Sequence, residues 1–196
     1  VPWCRGGSLL LGCAAKPQTV RFATFNASLN RESAGKLIED LHTGQHPQIR
    51  TVAEIIQRVR PDVLLINEFD YDESAVAPRL FQEKYLSVSQ NGQRPIDFPF
   101  RVFLPVNTGV NSGHDLDNDG QVVTQPGTRG SGNDCFGFGQ FPGQYGMLLL
   151  SRFPIDEAGI VTFERVLWKD MPGALLPAKP DGSPWYDDAE LAVLRL

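Results

Sequence analysis

Cysteine is scarce in this chain: Cys4, Cys13 and Cys135 are the only three in 196 residues. None has the spacing of a structural zinc site, and no disulfide framework is expected from them. Long apolar runs are missing as well, so no segment is long enough to span a bilayer as a helix. Positive charge is not in surplus. Eighteen Lys and Arg against 23 Asp and Glu leave a net charge of −5, which denies the protein the basic field that a tight, non-specific nucleic-acid complex needs. No stable complex of that kind is expected. A phosphate ester is not excluded, because a bound divalent metal supplies positive charge locally. Glycine-rich phosphate loops are absent too. After its first β-rich segment the chain reads "NASLNRESAGK", without G-x-G-x-x-G, and it has no Walker A sequence.

What is present suits a globular domain. Hydrophobic residues make up 41% and charged residues 21%, and the length is enough for one domain with a sizeable core, monomeric when complete. Nineteen Gly and 15 Pro crowd the middle of the chain, which predicts a long irregular loop over about residues 105–143. The first 18 residues read differently. "CRGGSLLLGCAAKPQ" resembles the tail of a bacterial lipoprotein signal, with a small residue before the cysteine that takes the lipid. In that reading Cys13 becomes the N-terminus and carries a lipid anchor to a membrane. The protein is then exported, as a periplasmic or membrane-anchored lipoprotein or a secreted one. The plainer alternative is a disordered leader with a chance LLGC.

The element order points to an α/β fold. Residues 20–25 are rich in Val, Phe and Thr and read as a strand. In "QIRTVAEIIQRVRPD", Val52, Ile55, Ile56 and Val59 share one helical face, Thr51 with Glu54 fits a capping box, and Pro61 closes the helix. Residues 63–67 form a continuous apolar run of the kind found in a buried strand. Strand, helix, strand is a βαβ unit with its two strands parallel. A second helix is expected across "ESAVAPRLFQEKYL", and further strands across "FRVFLPV" and "QYGMLLLSRFPI". The tail "DAELAVLRL" reads as another strand, apolar to its end, which looks like a chain cut inside a buried strand.

Two polar residues stand where hydrophobic strands surface: Asn26 after "VRFATF" and Glu68 after "VLLIN". Ligands of open α/β sheets sit beyond the carboxyl ends of the strands. An amide oxygen with a carboxylate is a hard oxygen pair suited to Mg²⁺ or Mn²⁺. The alternative is an Asn that favours a turn and a solvated Glu.

"FATFNASLNR" and "RPDVLLINEFD", followed by "GQYGMLLLSRFPI", resemble the endonuclease/exonuclease/phosphatase superfamily, the metal-dependent phosphoesterases related to DNase I. There the first strand ends in N-x-N or N-x-S and the second motif in Q-E or N-E. The resemblance covers residues 19–155 and implies a DNase I-like four-layer α/β sandwich. It makes Asn26 and Glu68 ligands of the catalytic divalent metal, Mg²⁺ or Mn²⁺, and a phosphate ester the substrate. The "GMLLLSRFPI" strand is structural. The family's later motifs should add a His, a D-x-N pair and a terminal D-H. His42, His46 and His114 all lie too early for these roles, and Asp-Leu-Asp-Asn at 115–118 precedes the S-R-x-P-I strand. Residues 19–196 therefore read as the N-terminal part of the domain. The sandwich is incomplete, about its first half, and the chain is expected to be inactive alone.

The loop "SGHDLDNDGQVV" places Asp115, Asp117 and Asp119 at alternate positions before Gly120, the front half of an EF-hand-like calcium loop. The twelfth position is Pro126, so Asp134 would have to close the shell by folding back. Structural Ca²⁺ is the expectation, a solvated acidic loop the alternative. Arg31 and Tyr145, with Gln144, are lesser candidates for contact with substrate phosphate. Trp168 and Trp185 read as packing residues. A calcium-stabilised binding module or inactive pseudoenzyme on the same scaffold is the rival reading of the whole chain.

Overall fold

A computed structural model describes residues 19–195. The leader with Cys4 and Cys13 lies outside the described residues. Strand β1 (Phe22–Leu29) is followed by helices α1 (Lys36–His42) and α2 (Pro47–Val59), then by β2 (Val63–Phe69) and α3 (Val76–Phe81). Helix α3 runs on into a π-helical turn, Gln82–Leu86. Strands β3 (Phe100–Val102) and β4 (Met147–Ser151) complete a four-stranded sheet in the order β1-β2-β4-β3. The β1 and β2 strands are parallel, as a βαβ unit requires, while β4 is antiparallel to both β2 and β3. The class is α/β.

One face of the sheet carries the core. Phe25, Ile66 and Leu148 stand side by side across three strands, as do Ala23, Leu64 and Leu150. They pack against Leu41, Ile49, Ile56, Leu80 and Phe81 from the helices. Burying a side chain of that size contributes about 1.5–3 kcal/mol, so this single layer contact dominates the fold's stability. One sheet layer and one helix layer are thus present among the described residues. The opposite face bears Phe22, Thr24, Leu65, Met147, Leu149 and Val102, and Phe22 is 72% exposed. Among the described residues no helix is long and apolar enough to cross a membrane.

Two expectations need correction, and one element is new. Helix α2 starts at Pro47, with His46 as its N-cap. Proline fits a first helical position because its missing N–H would have no partner there. Thr51 therefore lies inside the helix and donates its hydroxyl to the Pro47 carbonyl, so Thr51 with Glu54 is no capping box. The tail is not a strand. Asp187 caps a short helix α4 (Asp188–Leu191) through a capping box with Glu190, and only Arg195 makes an isolated bridge, to Leu167. Helix α1, where Leu37 and Leu41 are buried one turn apart, was not anticipated.

The long loop is not structureless. Bridges Thr108–Gly137 and Asn111–Cys135 fold it on itself. Gly109 has φ +71°, and a Cβ there would meet the Phe141 carbonyl oxygen at 1.8 Å, so the crossing needs glycine.

Candidate metal and substrate site

The carboxyl ends of β1 and β2 do not follow regular pairing. Asn26 faces Asn67, but the next pair is Leu29 with Phe69. Two residues of β1, Ala27 and Ser28, therefore oppose the single residue Glu68, which makes a β-bulge. Both Ser28 (φ +50°) and Glu68 (φ +58°) adopt the left-handed conformation that side chains other than glycine resist. The consequence is directional. Strict alternation from Ile66 would send Glu68 under the helices. The bulge turns it toward the open face instead, where Asn26 Nδ2 donates to Glu68 Oε1 at 2.8 Å. Bulges that re-aim a side chain concentrate beside active sites, and backbone strain of this kind costs about 1–3 kcal/mol per residue.

Asn26 Oδ1 also accepts the Ser28 N–H at 3.1 Å, and its second lone pair stays available. Mg²⁺ commonly takes one or two protein carboxylates and fills its shell with water and substrate oxygens. A half-buried carboxylate beside an exposed amide fits such an ion.

The next residues are tied together by Asp70, whose role the sequence did not reveal. Its carboxylate accepts the backbone N–H of Arg31 at 2.7 Å and of Tyr145 at 3.1 Å. Burial pushes the Asp70 carboxyl up to about 6, against the lowering pull of those two N–H groups and the Arg31 charge. Gln144, also buried, donates Nε2 to the Arg31 carbonyl at 2.6 Å and accepts the Gln140 N–H at 2.7 Å. Gly146 packs so tightly that a Cβ would come within 2.7 Å of the Phe69 carbonyl oxygen. Tyr145 itself has φ +58°. The entry to β4 is thereby locked beside the exits of β1 and β2. Arg31 and Tyr145, far apart in sequence, line one polar cavity.

The acidic loop forms a separate cluster. Asp115, Asp117 and Asp134 each bring an oxygen within 4.8 Å of the others, and Asp134 is buried. Asp119 is not in this group: its Oδ1 accepts the Gln121 N–H at 2.8 Å. Each of the three clustered carboxylates accepts two N–H bonds, one per oxygen: Asp115 from Asp119 and Gly120, Asp117 from Asp119 and the Asn133 amide, Asp134 from Leu116 and Val123. Trp185 Nε1 donates to the Leu116 carbonyl at 3.1 Å, pinning the loop to the C-terminal segment. Trp168 packs against Tyr186, with ring centroids 6.3 Å apart.

No curated protein and no solved structure matches this chain. A family model does: the one described as the endonuclease/exonuclease/phosphatase family matches residues 23–194. That match runs from the first strand, through the bulge that presents Glu68 to Asn26, to the C-terminal segment, and the chain belongs to the endonuclease/exonuclease/phosphatase family.

Proposed function

We propose that the chain is the N-terminal part of an exported, divalent-metal-dependent phosphoesterase that hydrolyses phosphodiester or phosphomonoester bonds. Asn26 and Glu68 are the ligands of its Mg²⁺ or Mn²⁺. The observation that carries this reading is the bulge: two residues adopt strained conformations so that a carboxylate meets an amide at an exposed strand end. A divalent cation there offsets the charge that builds on phosphoryl oxygens and acidifies a water. The chain's own residues orient the substrate. Asp70 and Gln144 fix the backbone of Arg31 and Tyr145, which face the same opening.

That the domain is incomplete is supported by the sheet's open face, where a groove of about 570 Å³ is lined by Leu65, Val102, Met147, Leu149 and Phe163. Loop residues cover that face only in part, leaving Phe22 and Met147 exposed, and an apolar face so incompletely covered is unusual in a finished domain. Export and lipidation at Cys13 rest on the leader sequence. The cluster of Asp115, Asp117 and Asp134 favours a second element of the reading, a structural Ca²⁺ that would equally serve a binding module on this scaffold.

The test is a Mn²⁺ titration of the purified chain, followed by paramagnetic broadening of backbone amide signals. Broadening centred on Asn26 and Glu68, abolished by Glu68→Gln, is the expected result. Broadening confined to the acidic loop would defeat the assignment.

A further inference from the structure

A β-bulge interrupts the ladder, so the residues inside it lose partners that a regular strand would supply. Here those residues are Ala27 and Ser28, and Ser28 is held at φ +50°. The donor that meets their carbonyls comes from outside the sheet. Gln48 Nε2 donates to the Ser28 carbonyl at 2.6 Å and lies 3.5 Å from the Ala27 carbonyl. Both facing atoms are acceptors, so only the NH₂ end of the glutamine amide fits there.

Gln48 stands on a firm base. It follows Pro47 in the first turn of α2, and buried Ile49, Val52 and Ala53 fix that end of the helix in the core. From this base three hydrogen bonds run in series to the metal pair. Gln48 donates to the Ser28 carbonyl, the Ser28 N–H donates to Asn26 Oδ1 at 3.1 Å, and Asn26 Nδ2 donates to Glu68 Oε1 at 2.8 Å. The middle link is a strained residue whose N–H and C=O are both engaged. A side chain in the left-handed region gains free energy by relaxing to an ordinary strand conformation, but Ser28 cannot do so and keep both partners. With Oδ1 anchored on Ser28, the Asn26 amide turns its Nδ2 to Glu68, and the two ligands keep one relative orientation. Residues that hold a ligand without touching the ion contribute to affinity by fixing such orientations.

We infer that Gln48 is a positioning residue of the metal site: it sets the geometry of Asn26 and Glu68 through the Ser28 backbone and does not contact the ion. The inference rests on the reading of that pair as metal ligands.

The experiment follows the side-chain amide signals of Asn26 by NMR, together with the Mn²⁺ titration. Gln48→Met keeps the length and the helix preference of glutamine and removes the donor. In the metal-free chain this variant is expected to move the Asn26 amide protons to the position of a solvated amide. Mn²⁺ affinity at Asn26 and Glu68 should fall about tenfold, the lower end of what an outer partner is worth to a metal site. Ile56→Val loosens the same helix in the core without touching the bulge, and both readings should stay as in the unsubstituted chain. Gln48→Glu adds a negative charge beside the bulge but no donor, and is also expected to bind Mn²⁺ more weakly. An Asn26 signal unmoved in Gln48→Met, equal losses in Gln48→Met and Ile56→Val, or tighter binding by Gln48→Glu would each overturn the inference. If the unsubstituted chain shows no broadening at Asn26 and Glu68, the metal reading has failed and the role of Gln48 with it. Broadening that persists unchanged in Gln48→Met defeats the role of Gln48 alone.

Discussion

At the scale of single residues, Glu68 carries the sharpest conflict between stability and purpose. An ordinary strand position favours alanine over glycine by about 0.5–1 kcal/mol, because glycine loses more conformational freedom on folding. At φ +58° the order should reverse, since a Cβ in the left-handed region costs about 1–2 kcal/mol. Glu68→Gly is therefore expected to be more stable than Glu68→Ala by roughly 1 kcal/mol in urea unfolding, although both remove the carboxylate of the proposed metal ligand. Equal stabilities, or alanine ahead, would mean that the left-handed bulge does not exist in solution. The two polar strand ends were legible because an amide and a carboxylate each interrupt an apolar run. The bulge that unites them was not. It depends on left-handed conformations at Ser28 and Glu68, and neither residue type announces one. Asp70 was equally hidden: its task is to accept two backbone N–H groups from loops 39 and 75 residues away in sequence, and nothing local marks such a partner.

At the scale of elements, parallel β1 and β2 and helix α2 were legible from apolar periodicity, and Pro61 marked the end of α2 correctly to within two residues. Of the four residues expected on one face of α2, however, only Val52 and Ile56 are buried, while Ile55 and Val59 are exposed and Ile49 and Ala53 take their place. The other failures share a cause. Short elements carry too few residues for a period to show, and capping chemistry then decides. Asp187 three residues before Glu190 is a capping box in plain view, yet the apolar letters after it suggested a strand. The acidic loop is the element whose behaviour is most open to measurement. Its clustered carboxylates already accept six N–H bonds, which knots the loop, but three negative charges so close still repel each other. Calcium is expected to raise the melting temperature reversibly. Saturation at 100 times the dissociation constant adds about 2.7 kcal/mol, or roughly 5–10 °C for a domain of this size. Asp117→Asn should remove most of that shift, while Asp119→Asn, outside the cluster, should keep it. A melting temperature indifferent to both calcium and EDTA would leave the carboxylates as hydrogen-bond acceptors only.

At the scale of the whole molecule, the two faces of the sheet differ in kind. One is sealed by helices; the other leaves Phe22 at 72% and Met147 at 48% exposure, and Met147 borders a groove of about 570 Å³. The sequence pointed to an incomplete domain through the absence of the family's later motifs and through a tail read as an unpaired strand. The second ground is gone, because the tail turns into α4; the first is untouched by it, and the open face adds another. Water against apolar surface costs about 25 cal/mol per Å² relative to burial, so this face is expected to make the isolated chain associate. Phe22→Ser combined with Met147→Lys is expected to shift the chain toward monomer in sedimentation velocity without lowering its unfolding free energy by more than about 0.5 kcal/mol, since neither side chain is in the core. In a longer chain that brings a second sheet onto this face, the same pair would bury an unpaired lysine and destabilise the domain by several kcal/mol. If the pair is as mild in the longer chain as in this one, the face is solvent-exposed by design and the two-layer unit is the whole architecture.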